Sequence, residues 1–359
     1  MQRILFIIHD INYGGAAKML SYLANSLSDV GYDVHVYTYM GESLNYKLNK
    51  SIKYHYRNPI KRDRLRRFLE PFIPVRKVIK TINPNIVISF LTNANLYTIF
   101  GTSFTNIPVI LCERGDPFME NNFENKIKKF FYNFSEGFVF QTEGARDFYN
   151  KAIKSKSAII PNPVTVKVTE IIPYEDRSND IVFVARFDIK QKRQDLMVDA
   201  FEKITKENKN LKLVFYGEGE DKELIEKKVY DLNIGKRVVF AGKVKNIGEY
   251  IKFAKYCVLT SDFEGIPNAI IEALSLGVPV VATDCSPGGA KLLVKNGING
   301  FLVPRGNAES ISRSILYLEQ NPDEAKKFAK EAVKIHSEFS PDKILNDWIN
   351  YIEKVVRKS

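Results

Sequence analysis

Only three cysteines occur in the 359 residues, Cys112, Cys257 and Cys285, far apart and without close Cys or His companions. That scarcity argues against a disulfide framework and a structural zinc site, and for a reducing compartment. No apolar stretch approaches the roughly 18 residues of a membrane span. The first apolar run, residues 3–8, passes straight into His9-Asp10 and is too short for a signal-peptide core. A cytoplasmic protein, soluble or peripheral on a membrane, is therefore expected. Gly-x-Gly-x-x-Gly and the P-loop pattern are both missing, which disfavours dinucleotide oxidoreductases and P-loop nucleotidases. No Asp-x-Asp pair is placed as a metal site, and no segment is of low complexity.

What is present is ordinary globular material: 45% hydrophobic and 12% aromatic residues, with 53 Lys and Arg against 42 Asp and Glu. The length suggests two domains. A net charge of +11 favours anionic partners: nucleic acid, phosphorylated metabolites or an acidic membrane face.

Short β-branched runs alternate with longer amphipathic segments, twice over. Strands are expected at 3–8, 33–39, 85–90, 108–113, 137–141 and 157–160, then at 180–185, 211–217, 237–241, 256–260 and 278–282. Helical spacing marks 16–30, 194–206 and 222–232. Strands apolar on both faces and separated by helices read as parallel sheets with right-handed crossovers. The stretch 161–179 holds three prolines, Pro161, Pro163 and Pro173, and no helical period, as a linker should. The expected class is α/β, two doubly wound domains at 1–165 and 166–340, with ligands at the carboxyl ends of the strands.

Three motifs carry chemistry. After the first strand, Gly14-Gly15 opens a helix, where free amides and close backbone approach suit a phosphate; a plain tight turn is the other reading. Arg186 closes a strand and Lys192 precedes a helix, a guanidinium fork and a point charge that suit a diphosphate; the bland reading is a solvated basic loop, which is where Lys190 and Arg193 are placed. The third motif is Glu264-Gly265-Ile266-Pro267-Asn268, with Glu272 further on and Gly277 behind it. Pro267 fits the first helical position and Gly277 the C-terminal cap. Glu264 then lies in the loop, and Glu272 about 7.5 Å along the helix. The amides from Gly265 to Ala269 face outward for anionic or sugar oxygens, and a carboxylate can accept both hydroxyls of a ribose. Read blandly, Glu264 caps the helix and Glu272 is a surface residue.

These residues resemble glycosyltransferase family 4, the retaining, nucleotide-sugar-dependent enzymes with the two-domain GT-B fold. Glu264 and Glu272 form the hallmark, supported by Gly14-Gly15, Arg186 with Lys192, Gly217-Glu218-Gly219, 240–244, 277–283 and 299–304. The resemblance implies two Rossmann-like domains facing a central cleft, with the last helix, about 341–359, returning to the first domain. It implies that Arg186 and Lys192 neutralise the donor diphosphate and that Glu272 holds the ribose. Val244 would lie against the base, and Glu264 with Gly265, Ile266, Pro267 and Asn268 would contact the sugar and diphosphate. Gly15 would approach the phosphates from the other domain. A UDP-sugar donor, no metal and no other cofactor are implied. Where many relatives carry a histidine that contacts the sugar, this sequence has Arg114, so Arg114 or Asp116 is the expected substitute. Segments 89–95 and 138–143 resemble the branch that builds α-linked hexosamine chains, placing Asn93 and Asn95 on the acceptor side.

The stretch 61–80 mixes cations with large apolar residues. It resembles the basic helix with which transferases of lipid-linked oligosaccharides dock at the membrane, making Arg66, Arg67, Arg76 and Lys77 candidates for anionic lipid and lipid diphosphate. A solvated helix face is the alternative. No recognition helix or aromatic platform accompanies the cations, so nucleic acid is not an expected partner. The function implied is transfer of a hexose or N-acetylhexosamine to a polyprenyl-diphosphate glycan at the inner face of the cell membrane. A nucleotide-sugar epimerase and a non-catalytic basic binding protein are the rivals.

Overall fold

The computed structural model of the chain describes residues 2–12, 14–42, 44–58, 69–119, 122–166 and 170–358. Two compact units emerge: Met1–Asn162 together with Asp342–Ser359, and Pro163–Pro341. Among the described residues no helix is long and apolar enough to cross a membrane.

The first unit holds a seven-stranded parallel sheet in the order β3-β2-β1-β4-β5-β6-β7. The strands are β1 Arg3–Ile8, β2 Asp33–Thr38, β3 Lys53–Tyr56, β4 Ile86–Phe90, β5 Val109–Cys112, β6 Gly137–Phe140 and β7 Ser157–Ile159. β1 and β4 are buried on both faces, as their unbroken apolar runs require. β3 was not expected: Lys-Tyr-His-Tyr has no apolar run, because an edge strand needs only one neighbour. Helix Gly15–Asp29 lays Leu20, Leu23 and Leu27 on the sheet. The last helix, Pro341–Lys358, contributes Ile344, Trp348, Ile352 and Val355 to the same core. Trp348 is fully buried against Phe90, ring centroids 6.4 Å apart, and burial of a side chain of that size is worth about 3 kcal/mol. Tyr351 ties the helix to the sheet: its hydroxyl accepts from the Phe138 amide at 2.8 Å and donates to the Lys156 carbonyl at 2.5 Å.

The second unit holds a six-stranded parallel sheet in the order β10-β9-β8-β11-β12-β13. Its strands are β8 Asp180–Val184, β9 Lys212–Tyr216, β10 Val238–Gly242, β11 Tyr256–Leu259, β12 Val280–Thr283 and β13 Gly300–Val303. β13 also escaped the sequence reading; it pairs in register with β12 and extends the sheet. In both sheets the chain winds first to one side and then to the other. The reversal falls between β1 and β4 in the first and between β8 and β11 in the second, leaving a crevice at the carboxyl ends of those strands.

One boundary differs from expectation. The helix carrying Glu272 spans Asn268–Ser275, and Pro267 is its N-cap, in extended backbone at φ −74° and ψ 102°. Proline therefore sits one place earlier than its first-turn preference suggests, and its carbonyl starts the ladder by accepting from Ile270 at 3.0 Å. Gly277, at φ +70°, follows the helix in the left-handed conformation that glycine supplies without strain.

Candidate active site

Between β8 and β11 the loops of the second unit interlock. The chain leaving β8 makes a short helix, Ile189–Lys192, capped by the Asp188 carboxylate on the Gln191 amide. Lys192 ends it, and Arg193 takes the left-handed conformation at φ +53°, which turns the chain into helix Gln194–Glu207. The loop leaving β11 comes up beside it. Thr260 Oγ1 donates to the Lys192 carbonyl at 2.9 Å, the Asp262 amide to the Gln191 carbonyl at 2.9 Å, and the Gln191 side-chain amide to the Phe263 carbonyl at 3.1 Å.

This stitching brings Lys192 and Glu264 together. The Lys192 ammonium donates to Glu264 Oε1, and Ser261 Oγ donates to the same oxygen at 2.9 Å. Both side chains are largely buried, at 15% and 9% exposure. A charge pair so enclosed holds its geometry only when further hydrogen bonds satisfy it, which Ser261 supplies. Ser261 had no place in the sequence reading.

Arg186 is not part of that pair. Its guanidinium donates to Asp188 and to Gln191, each at 2.7 Å, and it is 64% exposed. It is therefore a hydrated cation beside the crevice, while the fully buried Gln194 holds the loop by donating to the Arg186 carbonyl at 2.7 Å. Arg193, expected in solvent beside Lys190, is instead fixed by Asp195 and Asp262, each at 3.1 Å. Those two carboxylates hold its guanidinium well above the ordinary range. Lys190 is exposed as expected.

Two glycine loops fix the backbone around these groups. Gly217, at φ +142°, follows β9, and a Cβ there would run into the Ala185 carbonyl at the root of the Arg186 loop. Gly289, after β12, packs on the Gly265 carbonyl, where a Cβ has no room. The Glu264 amide donates to the Ser286 carbonyl at 2.7 Å, so the 285–289 turn carries the start of the glutamate helix. That turn was missed, although Cys285-Ser286-Pro287-Gly288-Gly289 after a strand is a run of turn formers. Beyond Glu264 the chain presents Gly265 and Asn268 at intermediate exposure, with Ile266 and Pro267 buried beneath them. Glu272 lies one turn on, also partly exposed, and near enough to Cys257 to reinforce the burial that pushes that thiol up to about 12. Val244 lies in the loop after β10.

In the first unit the crevice between β1 and β4 collects its own candidates. Gly14, at φ +105°, is the N-cap of helix Gly15–Asp29, which has no side-chain cap. A Cβ at Gly14 would meet nothing within 4 Å. Across the reversal, Leu91 holds φ +77° between β4 and helix Thr92–Thr102, a strained conformation for a leucine and a frequent companion of functional loops. Asn93 is exposed there. Asn95 corrects the expectation of an acceptor contact: it is wholly buried, accepts from Ser89 at 2.7 Å and donates to Glu113 at 3.1 Å. It acts by fixing Glu113, which also accepts from the buried Tyr132 hydroxyl. Sequence spacing makes Glu113 the end of a strand; the signal for its role is a carboxylate closing the apolar run Val109–Cys112.

Arg114, the next residue, lies over the Phe90 ring at 4.9 Å and donates through Nη1 to Asn162 at 3.2 Å. Its Nε and Nη2 are buried without a partner, and burial lowers the guanidinium pKa. Asp116 Oδ1 accepts from the Phe118 amide at 2.9 Å, while Oδ2 is buried and unpartnered. His9 is partly exposed and its Nδ1 meets Asp10 at 2.5 Å, while the buried His35 stacks on His55.

The basic stretch divides. Arg66 and Arg67 lie outside the described residues. Arg76 is not a free lipid ligand; its Nη1 donates to the carbonyls of Phe100, Gly101 and Ser103 at 3.2, 3.2 and 2.9 Å, closing helix Thr92–Thr102. Only Lys77 of the two described candidates is exposed.

Two doubly wound parallel sheets, with charged loops at the carboxyl edge of the second, are the architecture of the GT-B fold. Residues 13–168 match the family Glycosyltransferase Family 4, and residues 169–335 the Glycosyl transferases group 1. The chain belongs to the family 4-like GT-B glycosyltransferases. It is 29% identical over 246 residues to an uncharacterized glycosyltransferase of Methanocaldococcus jannaschii, an alignment covering 61% of this chain and 60% of that one. Over 99% of both chains it is 26% identical to a Campylobacter jejuni enzyme, the GalNAc-alpha-(1->4)-GalNAc-alpha-(1->3)-diNAcBac-PP-undecaprenol alpha-1,4-N-acetyl-D-galactosaminyltransferase. Among solved structures, Anabaena HepE in complex with UDP and glucose matches with a TM-score of 0.84 at 18% identity, covering 98% of this chain and all of that one.

Proposed function

We propose that the protein transfers a hexose or N-acetylhexosamine, with retention of configuration, from a UDP-sugar to a polyprenyl-diphosphate-linked glycan. The observation that carries this reading is the Lys192–Glu264 pair at the reversal between β8 and β11, with the start of helix Asn268–Ser275 directly behind it. The complex of HepE with UDP and glucose and the undecaprenol-linked substrate in the Campylobacter enzyme's name support it.

In this reading the departing uridine diphosphate is stabilised by fixed charge rather than by a metal. Arg186, hydrated and able to swing from Asp188, takes the diphosphate as a fork. Lys192 adds a point charge, and the backbone of Gly265, Ile266 and Asn268 adds amide dipoles where negative charge develops. Glu264, oriented by Lys192 and Ser261, accepts hydroxyls of the sugar. Glu272 takes the ribose hydroxyls, Val244 lies against the base, and Gly14-Gly15 meets the phosphates. Asn93, Arg114 and Asp116 face the acceptor or the sugar. Retention follows a same-face course, the leaving phosphate taking the acceptor's proton. The protein works at the cytoplasmic face of the cell membrane.

Titration calorimetry with UDP tests the site, and a screen of UDP- and GDP-sugars against a lipid-diphosphate acceptor, with NMR of the product linkage, tests the reaction. Glu272→Ala should weaken UDP binding at least tenfold, the loss of a charged hydrogen-bond acceptor. UDP affinity untouched by that change refutes the assignment. Donor turnover without any acceptor, giving an isomeric nucleotide sugar, points to the epimerase instead.

A further inference from the structure

The excess positive charge is not shared evenly. The first unit carries 26 Lys and Arg against 16 Asp and Glu, a net of +10, while the second carries 27 against 26. On that same basic unit, the ends of helices Thr92–Thr102 and Asn122–Tyr132 turn aromatic rings outward. Phe100 is 40% exposed, Phe130 60%, Phe134 62% and Phe104 entirely. Three of these rings are joined through Phe131, which lies 4.9 Å from Phe100 and 5.3 Å from Phe130, and Phe130 lies 5.6 Å from Phe134. Phe100, Phe104, Phe131 and Phe134 line a groove of about 380 Å³. Phe104 is held at φ +62°, a conformation that bulky side chains avoid.

Single exposed apolar residues are common, but a contiguous aromatic patch marks a partner. The rim names its charge. Arg76 sits on the Phe100 carbonyl, and Lys77 and Lys80 are exposed on the same helix. Glu136, on the groove wall, spends its carboxylate on the Val109 amide at 2.8 Å. Cations around large apolar side chains are the composition of surfaces that lie on anionic bilayers, rings at the acyl boundary and cations at the headgroups. A second copy of the chain fits poorly, because two units of +10 repel.

We infer that Phe100, Phe104, Phe130 and Phe134 form the surface on which the protein docks to an anionic lipid bilayer. The inference deepens the lipid-linked acceptor reading, from which it takes its purpose, but its geometry stands apart from the donor site. It moves the anchor from the cations of 61–80 alone to an aromatic face, with Lys77 and Lys80 exposed on the neighbouring helix.

The test uses the full-length chain and vesicles without any glycan acceptor, of phosphatidylcholine alone or mixed with phosphatidylglycerol. Wild type should sediment with the mixed vesicles, and Phe104→Ser/Phe130→Ser/Phe134→Ser should partition about tenfold less, as expected when most of the inserted apolar area is removed. Its melting temperature and UDP affinity should be unchanged, since the rings are exposed. In Phe104→Trp, the indole emission should shift to the blue on adding mixed vesicles. Equal sedimentation of triple variant and wild type, or an unshifted emission, overturns the inference. So does a lipid-free dimer that the triple variant abolishes, which would assign the patch to a second copy. Intact vesicle binding without transfer to any lipid-diphosphate acceptor would count against the acceptor reading and leave docking standing.

Discussion

The Lys192 ammonium and the Glu264 carboxylate meet across 72 residues of chain, at the seam where the second sheet reverses its winding, and Ser261 shares the same carboxylate oxygen. Neither charge is free to wander: one ends a four-residue helix and the other is held by its own amide on Ser286. Removing one partner leaves the other buried and uncompensated. Lys192→Met should cost about 3 kcal/mol in urea unfolding, and Glu264→Gln a similar amount. The double variant should cost less than the sum, because the stranded charge is gone. Strict additivity would show that the pair is not coupled. Transfer activity should vanish in all three.

Arg76 should matter to folding rather than to lipid. Its guanidinium closes three carbonyls at the end of helix Thr92–Thr102, so Arg76→Ala should destabilise the protein by about 1–2 kcal/mol. Lys77→Ala, one residue on and exposed, should leave the unfolding midpoint unchanged. Equal midpoints for the two variants would remove the capping role.

Acid should loosen the β1–β2–β3 edge through Asp33. Its carboxylate bonds to Arg3 at 2.7 Å and Lys53 at 2.9 Å, which holds its pKa down at about 2. A carboxylate lowered on folding contributes stability that is complete above the unfolded value, about 4, and is lost as pH falls toward 2. Both cations are partly solvated, so the contribution is about 1–2 kcal/mol. Asp33→Asn should lower stability at neutral pH by that amount and flatten the profile between about pH 2 and 4. A variant that keeps the wild-type slope in that window contradicts the assignment.

Two guanidinium nitrogens of Arg114, Nε and Nη2, are enclosed without acceptors, at a cost in stability. Arg114→Met removes the unmet donors and keeps an apolar contact with Phe90. Unfolding of the apo protein should be no easier than in wild type. A transferable donor together with its acceptor should then raise the melting temperature of wild type more than that of the variant. Equal ligand-induced shifts would show that Arg114 touches neither.

Much of the fold could be read in advance because buried parallel strands are written as unbroken apolar runs. Residues 3–8, 85–90 and 256–260 stood out for that reason, and the observed strands agree to within two residues. Lys53–Tyr56 did not, since an edge strand is selected by pairing and not by burial. The helix start near Pro267 was legible, but whether proline caps the helix or enters it depends on ψ, which the sequence does not print. For the site, the acidic and basic residues were visible singly. Their pairing was not, because the sheet alone sets Lys192 beside Glu264. Asn95 misled because the resemblance of 89–95 placed it on the acceptor side, whereas the fold closes Ser89, Glu113 and Tyr132 around it.

One lobe is assembled from two stretches of chain, 1–162 and 342–359, that are synthesised on either side of the other lobe. Because Trp348 and Tyr351 belong to that lobe's interior, its sheet must wait, unfinished, while Pro163–Pro341 is made and can settle by itself. A nascent or clipped chain lacking residues 342–359 would leave Phe90 and the Phe138 amide uncovered, a ready mark for chaperones and proteases.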